Sequence, residues 1–416
     1  MNPFPVSASE LIIDGVPLTQ FVARHATPIY LYSRAQLSAR VAELRAVLPS
    51  RIGLHYSVKA NPFPPLLNHM AGLVDGFDVA SAGELTRTLE AGLAPARISF
   101  AGPGKRRNEL EHGIAAGILF NAESRHEIAT LAELGRQAGT PVRLALRINP
   151  AFELKGAGAH MGGGPRPFGI DEEEIPAVLA DLHKDRDILH FEGFHIYAGS
   201  QNLSGDAIAT TLRAIYALVQ RLAPLAPAPV RSVNLGGGFG IPYTPDATPL
   251  DTAPIAAALA EIASASAREL PEAYFHLELG RYLVGEAGIF VTRILDKKVS
   301  RGQTFLVTDG GLNNHIAATG CLGQVLRRNY PVAIGNRMPM NEKVDVTEGN
   351  PRGTGETACV NVVGPLCMPR DVLAEKVVLP EAEIGDLFVV FQSGAYGASA
   401  SPQGFLSHPP VTEMLV

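Results

Sequence analysis

The sequence has few cysteines and no excess of positive charge, and both shortages narrow the possible functions. Its three cysteines, Cys321, Cys359 and Cys367, are an odd, scattered set among 416 residues, which suits a reducing compartment better than a disulfide framework. The formal charge is −6, from 35 basic and 41 acidic side chains, so no basic surface indicates a nucleic-acid partner. The spacing of cysteine and histidine matches no metal-binding pattern, and we expect no metal.

Long hydrophobic runs are also missing. No run approaches the ~18 apolar residues that cross a bilayer, and the first ten residues lack the basic start and apolar stretch of a signal peptide. We therefore expect a cytoplasmic protein without a membrane partner. With 46% hydrophobic and 18% charged residues, the composition is that of a globular protein long enough for two or three domains.

Strand-like and helix-like segments alternate over the first two thirds of the chain. Apolar segments with the pattern of strands lie at 29–32, 52–58, 76–79, 98–101, 118–121, 142–148, 191–197, 232–235 and 274–279. Helical patterns between them include 34–47, 82–91, 124–135 and 206–222. These strands are too apolar for a sheet with one wet face, so the alternation predicts a parallel sheet covered by helices. About eight units favour an α/β fold of the (β/α)₈ TIM-type barrel class over residues 28–278.

The pattern changes after residue 278. β-like segments at 291–298, 304–308, 332–334, 357–363 and 387–391 follow with few helical patterns between them. They predict a C-terminal all-β domain, a mostly antiparallel β-barrel or sandwich. Residues 1–27 contain a short strand and turn, so we expect 1–27 and 279–416 to form this β domain together.

Chemistry in a barrel belongs at the C-terminal ends of its strands. The segment 52–58 is followed by Lys59 with small neighbours. A desolvated amine there would be a neutral nucleophile, and the alternative is an edge lysine that reaches for water. Residues 232–235 run into three glycines, Gly236, Gly237 and Gly238, whose bare N–H groups suit a phosphate. A tight turn without a ligand stays open, and Ile241 at the third glycine position disfavours a dinucleotide loop.

Two further strands end in charged or aromatic side chains. Glu278 lies between leucines, so it should be buried and paired, and Arg281 could be its partner in a purely structural ion pair. His195 and Tyr197 are two residues apart, so both point to one face of their strand. They are either core residues or the cover of a flat ring. The glycine-rich segment 156–164 is too long for a regular turn, and we expect a mobile loop there.

These motifs together supply an amine, a phosphate loop, a buried carboxylate and a face for a ring, which is what pyridoxal 5′-phosphate requires. The sequence strongly resembles the barrel-type (fold type III) pyridoxal-phosphate decarboxylases, the family of diaminopimelate and ornithine decarboxylases. The motifs follow in order along nearly the whole chain. They are Tyr-Ser-Val-Lys-Ala-Asn at 56–61, Phe-Asp-Val-Ala-Ser at 77–81, Gly-Gly-Gly at 236–238, Glu-Leu-Gly-Arg at 278–281 and Gly-Pro-Leu-Cys at 364–367.

The resemblance implies a role for each matching residue. Lys59 would form the Schiff base, and Glu278 would pair with the pyridine nitrogen. The other cofactor-binding residues would be Asp78, Arg147, His195, Tyr197, Ser200, Gly236, Gly237, Gly238, Gly280, Arg281 and Tyr396. Cys367 would enter from the second subunit of a homodimer and supply a proton. When the Gly-Ser turns are aligned, the family's ring-stacking histidine falls on Tyr197, so either Tyr197 or His195 would cover the ring.

One departure from the family bears on the substrate. Directly after the cysteine, diaminopimelate decarboxylases carry a glutamate and ornithine decarboxylases an aspartate, which reads the substrate's distal amine. This sequence has Met368 there, which accepts no charge-assisted hydrogen bond. We therefore expect poor use of free lysine, ornithine and diaminopimelate.

Three motifs, at 164–170, 309–315 and 327–332, resemble a biosynthetic branch of the family. That branch includes the decarboxylase of glutamate attached to an acyl-carrier protein and relatives from exopolysaccharide/exosortase gene neighbourhoods. A tethered glutamyl group has no distal amine, which agrees with Met368. The residues that would contact the substrate are Arg281, Arg327, Arg328, Tyr330, Met368 and Tyr396; a surface basic pair is the other interpretation of Arg327 and Arg328.

Three alternatives remain. The protein could be a diaminopimelate decarboxylase in which Asp371 or Glu356 meets the distal amine. It could be a cofactor-binding protein that has lost catalysis, which the presence of Cys367 disfavours. It could be an amino-acid racemase, which Glu278 disfavours because the related barrel-type alanine racemases have an arginine at that position.

Overall fold

The computed structural model describes residues 4–244, 246–324, 327–338 and 356–416, without the side chain of residue 160. The chain forms two compact units. The barrel unit consists of Val41–Gly240 and Leu250–Gly280, and the β unit of Met1–Arg40, Ile241–Pro249 and Arg281–Val416. No helix among the described residues has the length and apolar content to span a membrane.

Eight parallel strands close into a barrel in the barrel unit. In chain order, the first to eighth barrel strands are Ile52–Ser57, Gly76–Val79, Ile98–Phe100, Leu119–Ala122, Val142–Asn149, Leu189–Ile196, Ser232–Asn234 and Tyr274–Leu279. Each strand pairs with the next, and the eighth pairs with the first. A short strand, Ile170–Asp171, pairs in parallel with the end of the fifth. The predicted (β/α)₈ barrel is confirmed.

Helices connect the barrel strands, and three of them begin at a serine cap. In chain order they are Pro64–Ala71, Ala82–Glu90, Arg107–Ala116, Arg125–Ala138, Ile175–Leu182, Gly205–Leu222 and Ala253–Glu269. The hydroxyls of Ser81, Ser124 and Ser204 each accept a backbone N–H from the first turn of the helix that follows, which stabilises a helix start. The caps stabilise the starts of these three helices, which follow shortly after strands.

A mixed eight-stranded sheet forms the β unit. Its strands are Ile29–Tyr32, Gly288–Ser300, Gln303–Thr308, Val332–Ile334, Thr357–Val363, Val372–Pro380, Leu387–Val390 and Thr412–Leu415. The long Gly288–Ser300 pairs antiparallel with three of the others. Two pairs are parallel, Gln303–Thr308 with Thr357–Val363 and Ile29–Tyr32 with Thr412–Leu415. The predicted second β domain is confirmed, and its sheet is mostly antiparallel as predicted, since five of the seven strand pairs among the described residues are antiparallel.

The N-terminal segment adds to the core of the β unit. Its elements are the strands Val6–Ser7, Glu10–Ile13 and Val16–Pro17 and the helix Leu18–Arg24. Two further helices of the chain lie outside this segment, Arg34–Val47 and Arg281–Val284. Leu11 and Leu18 are fully buried in a cluster with Ile289 and Val389. Burying such side chains contributes roughly 1.5–3 kcal/mol each.

One predicted barrel strand lies in the other sheet. The sequence pattern assigns residues 29–32 to the barrel, but Ile29–Tyr32 pairs with Gly288–Ser300 and Thr412–Leu415. All four of its residues are buried. A short, fully apolar strand fits the middle of either sheet, so its pattern does not identify its partners.

The glycine-rich segment is held by hydrogen bonds, which differs from the expected mobile loop. Ala159–His160 pairs antiparallel with Gly199–Ser200. The amide of Asn149 donates to Gly164 O at 2.9 Å and accepts from Gly163 N at 3.2 Å. The segment therefore lies against the end of the sixth barrel strand.

Candidate active site

Polar side chains lie inside the barrel near the C-terminal ends of its strands. Barrel interiors are usually filled by valine, isoleucine and leucine, so polar side chains there indicate a functional site. In register, His195 of the sixth strand stands beside Arg147 of the fifth and Asn234 of the seventh. Glu278 of the eighth strand stands beside His55 of the first. All five side chains are buried.

Glu278 is held by two side chains from other strands. The Asn234 amide donates to its Oε2 at 2.7 Å, and His195 Nε2 lies 3.2 Å from the same oxygen. Burial raises the pKa of this carboxyl, but His195, Lys59 and Arg147 outweigh that effect and hold the pKa below its usual range. Glu278 is therefore a buried, ionised carboxylate, as the sequence predicts, with different partners from the suggested Arg281.

Lys59 follows the first barrel strand in the short turn Val58–Ala60. Its neighbours Val58 and Ala60 are buried, but its own side chain is exposed, so the desolvation predicted from the apolar strand is wrong. Its Nζ lies 5.3 Å from the centre of the Tyr197 ring. A side chain at Gly280 would come within 2.8 Å of Ala60 Cβ, so Gly280 permits the turn to pack against the end of the eighth strand.

The glycine turn at 236–238 packs closely against the backbone at the ends of neighbouring strands. Gly236 and Gly238 have φ of +71° and +85°, which glycine adopts without strain. A Cβ at Gly237 would lie 2.1 Å from Glu278 O, and one at Gly238 would lie 2.2 Å from Gly199 O. Asn234 Oδ1 accepts the Gly236 N–H at 2.8 Å. Asn234 thus connects the turn to Glu278, a role that the sequence analysis missed because it follows from a contact across 44 residues.

His195 and Tyr197 lie in different environments, although the alternation of a strand predicts one face for both. His195 is 1% exposed, with Nε2 beside Glu278 and no hydrogen-bond partner for Nδ1 among the described residues. Tyr197 lies beyond the last residue of its strand and is half-buried. A Cβ at Gly236 would lie 3.4 Å from Tyr197 Cδ2. Tyr197 is therefore the side chain that lies near both the Lys59 amine and the glycine turn.

Asp78 belongs to a buried cluster with His55 and His276. Its Oδ1 accepts from Ser99 Oγ at 2.5 Å and lies 3.4 Å from His55 Nδ1. The two imidazole rings stack with centroids 4.0 Å apart and planes 22° apart. Burial, followed by the charge of Glu278, raises the pKa of Asp78 to about 7, and burial lowers the pKa of His55 and His276 to about 4 and 3.

This cluster is also where the described residues bring three possible metal ligands together, with one atom from each residue within 4.8 Å of the others. The sequence spacing gave no sign of it because the three residues come from three strands. The rings lie face to face, whereas two imidazoles that share an ion turn their ring nitrogens toward it. We interpret the cluster as a polar packing layer of the barrel.

Arg147 pairs with a residue that sequence reasoning missed, Glu123. Its Nη1 donates to Glu123 Oε1 at 2.7 Å. Glu123 Oε2 accepts the Gly169 N–H at 3.1 Å, and the Arg147 guanidinium lies 5.2 Å from the centre of the Phe168 ring. This buried pair fixes both Arg147 and the end of the glycine-rich segment. Ser200, the remaining predicted residue of the barrel unit, is half-buried in the short ladder with Ala159.

In the β unit, Arg281 lies among tyrosines. Its Nη1 donates to Tyr243 Oη at 2.8 Å, and its guanidinium lies 4.6 Å from the centre of the Tyr396 ring. Tyr330 packs on Tyr243 with ring centroids 4.6 Å apart. No ion pair joins Arg281 to a carboxylate of the β unit in the described ranges. The structure therefore brings together three predicted residues and adds Tyr243, which the sequence analysis missed.

Successive side chains of the segment 327–330 contact two different parts of the β unit. Arg327 Nη2 donates to Val372 O at 2.8 Å, and Asn329 exchanges two hydrogen bonds with the backbone of Glu375. Arg328 instead pairs with Asp246 at 3.1 Å, where both side chains are largely exposed. Arg327 is thus hydrogen-bonded to the strand Val372–Pro380, whereas Arg328 is at the surface.

Cys367 and Met368 lie on the loop before Val372–Pro380. Cys367 is exposed and free, and Met368 is half-buried. Asp371 is buried, and each of its oxygens accepts a backbone N–H, from Leu312 at 2.6 Å and from Leu366 at 2.7 Å. Its carboxylate is therefore engaged within the β unit. Glu356, the other acid considered for a distal amine, is exposed.

Comparison with known proteins identifies relatives along nearly the whole chain. Residues 34–285 match the family described as pyridoxal-dependent decarboxylase, pyridoxal binding domain. The L-glutamyl-[BtrI acyl-carrier protein] decarboxylase of Niallia circulans is 36% identical over 97% of this chain and 92% of its own. A diaminopimelate decarboxylase of Archaeoglobus fulgidus is 30% identical over 99% of this chain and 93% of its own.

Solved structures agree. Diaminopimelate decarboxylase from Helicobacter pylori, complexed with L-lysine, superposes with a TM-score of 0.82 at 26% identity and covers 96% of this chain and 93% of its own. A structure of SrLDC in complex with PLP and cadaverine gives a TM-score of 0.75 at 25% identity, over 100% and 95% of the two chains.

The residues of the barrel unit fit this cofactor. The glycine turn is too crowded for side chains and leaves its backbone bare, which suits a phosphate. The buried His195 Nδ1 has no partner among the described residues, and Glu278 is a buried, ionised carboxylate, which would suit a protonated ring nitrogen. The chain therefore belongs to the pyridoxal-dependent decarboxylases, and it is a carboxy-lyase that uses pyridoxal 5′-phosphate.

Proposed function

We propose that this enzyme decarboxylates a glutamyl or similar amino-acyl group that has no distal amine and is attached to a carrier protein. The observation that carries the proposal is Met368 beside the exposed Cys367. A buried ammonium group without an acceptor costs several kcal/mol. Asp371 is already engaged by two backbone N–H groups, so its carboxylate is not available to accept from a distal amine. The 36% identity to a carrier-linked glutamyl decarboxylase supports the same substrate class.

Different residues of the barrel unit would bind different parts of the cofactor. When bound, pyridoxal phosphate supplies the electron sink for the bond that breaks as carbon dioxide leaves. The Lys59 amine would hold the cofactor, and Glu278 would keep the proton on the ring nitrogen. The backbone of Gly236–Gly238 and the Ser200 hydroxyl would bind the phosphate. Tyr197 would cover the ring, since it lies near the Lys59 amine, whereas His195 would contact Glu278 beneath it.

The remaining predicted residues of the barrel unit would support this group. Gly280 would allow the Lys59 turn to pack closely. Asp78 and Arg147 would line the cofactor from the second and fifth strands of the barrel, and Arg147 would be kept in place by Glu123.

Residues of the β unit would supply the anion-binding and proton-donating groups. Arg281 and Tyr396 would meet an anionic group of the cofactor or substrate, and Tyr243 would orient the guanidinium. We propose a homodimer in which Cys367 of a second copy protonates the substrate carbon after carbon dioxide has left. Arg328, with its exposed guanidinium, would contact the carrier or its phosphopantetheine, and Tyr330 would pack beside it. With its cysteines free, the enzyme would act in the cytoplasm.

Mass spectrometry of a substrate panel tests the proposal. The holoenzyme is incubated with glutamyl carrier protein, free glutamate, diaminopimelate, ornithine and lysine, and loss of carbon dioxide is followed. We expect turnover of the carrier-linked glutamyl group. Equal or faster release from diaminopimelate would contradict the proposal and favour the diaminopimelate decarboxylase alternative, which the A. fulgidus relative represents.

Met368 provides a second, independent test. Met368→Glu places a carboxylate beside Cys367, so we expect it to raise kcat/KM for diaminopimelate at least about tenfold, since one charge-assisted hydrogen bond contributes roughly 1.5–3 kcal/mol. Met368→Leu is the control for the substitution itself and should leave the preference unchanged. If Met368→Glu has the same preference as Met368→Leu, position 368 does not read the distal group.

A further inference from the structure

The loop with Cys367 leaves the sheet beside a second loop. Thr357–Val363 leads into the loop, and Val372–Pro380 runs back antiparallel to it. The neighbouring strand Gln303–Thr308 is parallel to Thr357–Val363, with Val307 opposite Val363. Because parallel strands end at the same edge of a sheet, residues 309–315 emerge next to the Cys367 loop. The Thr308 hydroxyl also donates to Val363 O at 3.1 Å.

Asp371 fastens the two loops together. Its side chain is 2% exposed. Oδ1 accepts the N–H of Leu312 in the 309–315 loop, and Oδ2 accepts the N–H of Leu366, directly before Cys367. Hydrogen bonds from backbone N–H groups to a carboxylate are short and strong. Two distances of 2.6 and 2.7 Å fit that description.

Two glycines make room for this carboxylate. A Cβ at Gly311 would lie 2.2 Å from Asp371 Oδ1, and a Cβ at Gly364 would lie 2.5 Å from both oxygens. Real Cβ atoms do not approach so closely, so any other residue at either position would displace the carboxylate. The glycines at 311 and 364 are thereby explained by one buried side chain.

The backbone on both sides of Cys367 depends on the same anchor. Met368 N–H donates to Leu366 O at 2.8 Å, Asp371 N–H donates to Met368 O at 3.2 Å, and Gly364 N–H donates to Asp371 O at 3.0 Å. Leu366 and Met368 are therefore tied to Asp371, while Cys367 between them stays exposed. These bonds fix the backbone at Cys367, and with it the direction of the Cα–Cβ bond from which the thiol projects.

We infer that Asp371 is the positioning residue for Cys367: it holds the loop so that the thiol is presented outward, and it does not bind the substrate. The inference rests on the proposed function only where it treats Cys367 as the proton donor. The anchoring of the loop is independent of the substrate.

Asp371→Asn is the decisive variant. Asparagine has the same size, but its amide offers one acceptor and places an NH₂ group against a backbone N–H donor. We expect the rate of Cys367 alkylation by iodoacetamide, measured by peptide mass spectrometry on the holoenzyme, to change at least about threefold. Cys321 and Cys359, both exposed, are internal references and should react as before. The kcat should fall about 10- to 100-fold with KM within about twofold, since small misplacement of a reacting group has that effect.

Asp386 offers a matched control. It is also a buried carboxylate of the β unit, and it accepts the Glu383 N–H and the Asn336 amide at another turn. Asp386→Asn should lower stability as Asp371→Asn does, but it should leave Cys367 reactivity and kcat unchanged. If both variants alter Cys367 alike, or neither does, Asp371 has only a structural role.

Amide hydrogen exchange of the wild-type protein tests the anchor without a variant. The N–H groups of Leu312 and Leu366 should exchange slowly, because both donate to Asp371, and exchange at the rate of an exposed loop would overturn the inference. Changed Cys367 reactivity in Asp371→Asn without turnover of any panel substrate by the wild type would uphold the anchor and refute the proposed function. Turnover by the wild type, with unchanged Cys367 reactivity in Asp371→Asn, would support the proposed function and refute the anchor.

Discussion

Glu278 shows how much of a single side chain's role its sequence context can predict. Its leucine neighbours predict burial, and it is buried. Its partners, Asn234 and His195, lie 44 and 83 positions away and come from the two preceding strands. Only the pairing of these three strands brings them together, so no local pattern identifies them. The same holds for Glu123 beside Arg147 and for Tyr243 beside Arg281.

Glu278→Gln removes the charge and keeps the size. We expect kcat for carbon dioxide release to fall about 100-fold or more, because one group that stabilises charge in a transition state contributes that much. The cofactor should remain bound, as counted by absorbance. Glu109→Gln is the control, since Glu109 is a buried carboxylate of the same unit that accepts the Ala82 N–H at a helix start. Equal activity of the two variants would show that Glu278 is not at the reacting centre.

For Lys59 the sequence pattern identifies the residue but predicts the wrong degree of burial for its side chain. The apolar segment before Lys59 predicts a desolvated amine, but the strand ends at Ser57 and the lysine lies in the turn that follows. A side chain beyond the strand end faces the mouth of the barrel, where burial does not follow from its neighbours. Tyr197, one residue beyond its strand, is half-buried for the same reason.

At the scale of elements, the apolar periodicity predicts the strands well and their pairing less well. The segments 76–79 and 274–279 coincide with observed barrel strands. The segment 29–32 is also a strand, but it belongs to the mixed sheet. Periodicity reports which faces of a strand are buried, and the partner depends on connections elsewhere in the chain.

The glycine turn after the seventh strand leads to a prediction at this scale. Gly238→Ala would force a Cβ to within 2.2 Å of Gly199 O at φ +85°, so the turn has to open. We expect the affinity for pyridoxal phosphate, measured by spectrophotometric titration, to fall at least about tenfold, because the backbone donors of such a turn hold the phosphate.

Gly139→Ala is the matched control. Gly139 also has positive φ, +62°, but nothing lies within 4 Å of its Cβ position. This variant should lose about 1–2 kcal/mol of stability from backbone strain and keep its cofactor affinity. If both variants bind the cofactor equally well, the turn at 236–238 is not the phosphate site.

For the whole molecule, the buried imidazoles predict how stability depends on pH. Burial lowers the pKa of His276 to about 3 and that of His55 to about 4, from an ordinary 6.5. Below pH 6.5 the unfolded chain therefore binds protons that the folded chain does not. Protonation then favours unfolding, so the contribution of these two histidines to the free energy of unfolding is lost as the pH falls. Asp78 acts in the opposite direction, because its pKa, raised to about 7, makes its contribution decline as the pH rises from about 4 to 7.

Urea unfolding at pH 7 and pH 5 checks this dependence. One histidine with such a depressed pKa loses about 2 kcal/mol of stabilisation between these values. We therefore expect the loss of unfolding free energy from pH 7 to pH 5 to be about 2 kcal/mol smaller in His276→Gln than in the wild type. The control is the same substitution at His190, an exposed histidine of the barrel unit. A His276→Gln protein with the wild-type dependence would show that His276 is charged in the folded state.

Covalent attachment of pyridoxal phosphate to Lys59 is the central claim of the proposed function. Borohydride reduction of the holoenzyme, digestion and mass spectrometry locate the attachment. We expect one phosphopyridoxyl group per chain, on the peptide with Lys59, while Lys105 and Lys155 of the same unit remain unmodified. A label on another lysine, or Lys59 recovered unmodified from reduced holoenzyme, would contradict this assignment.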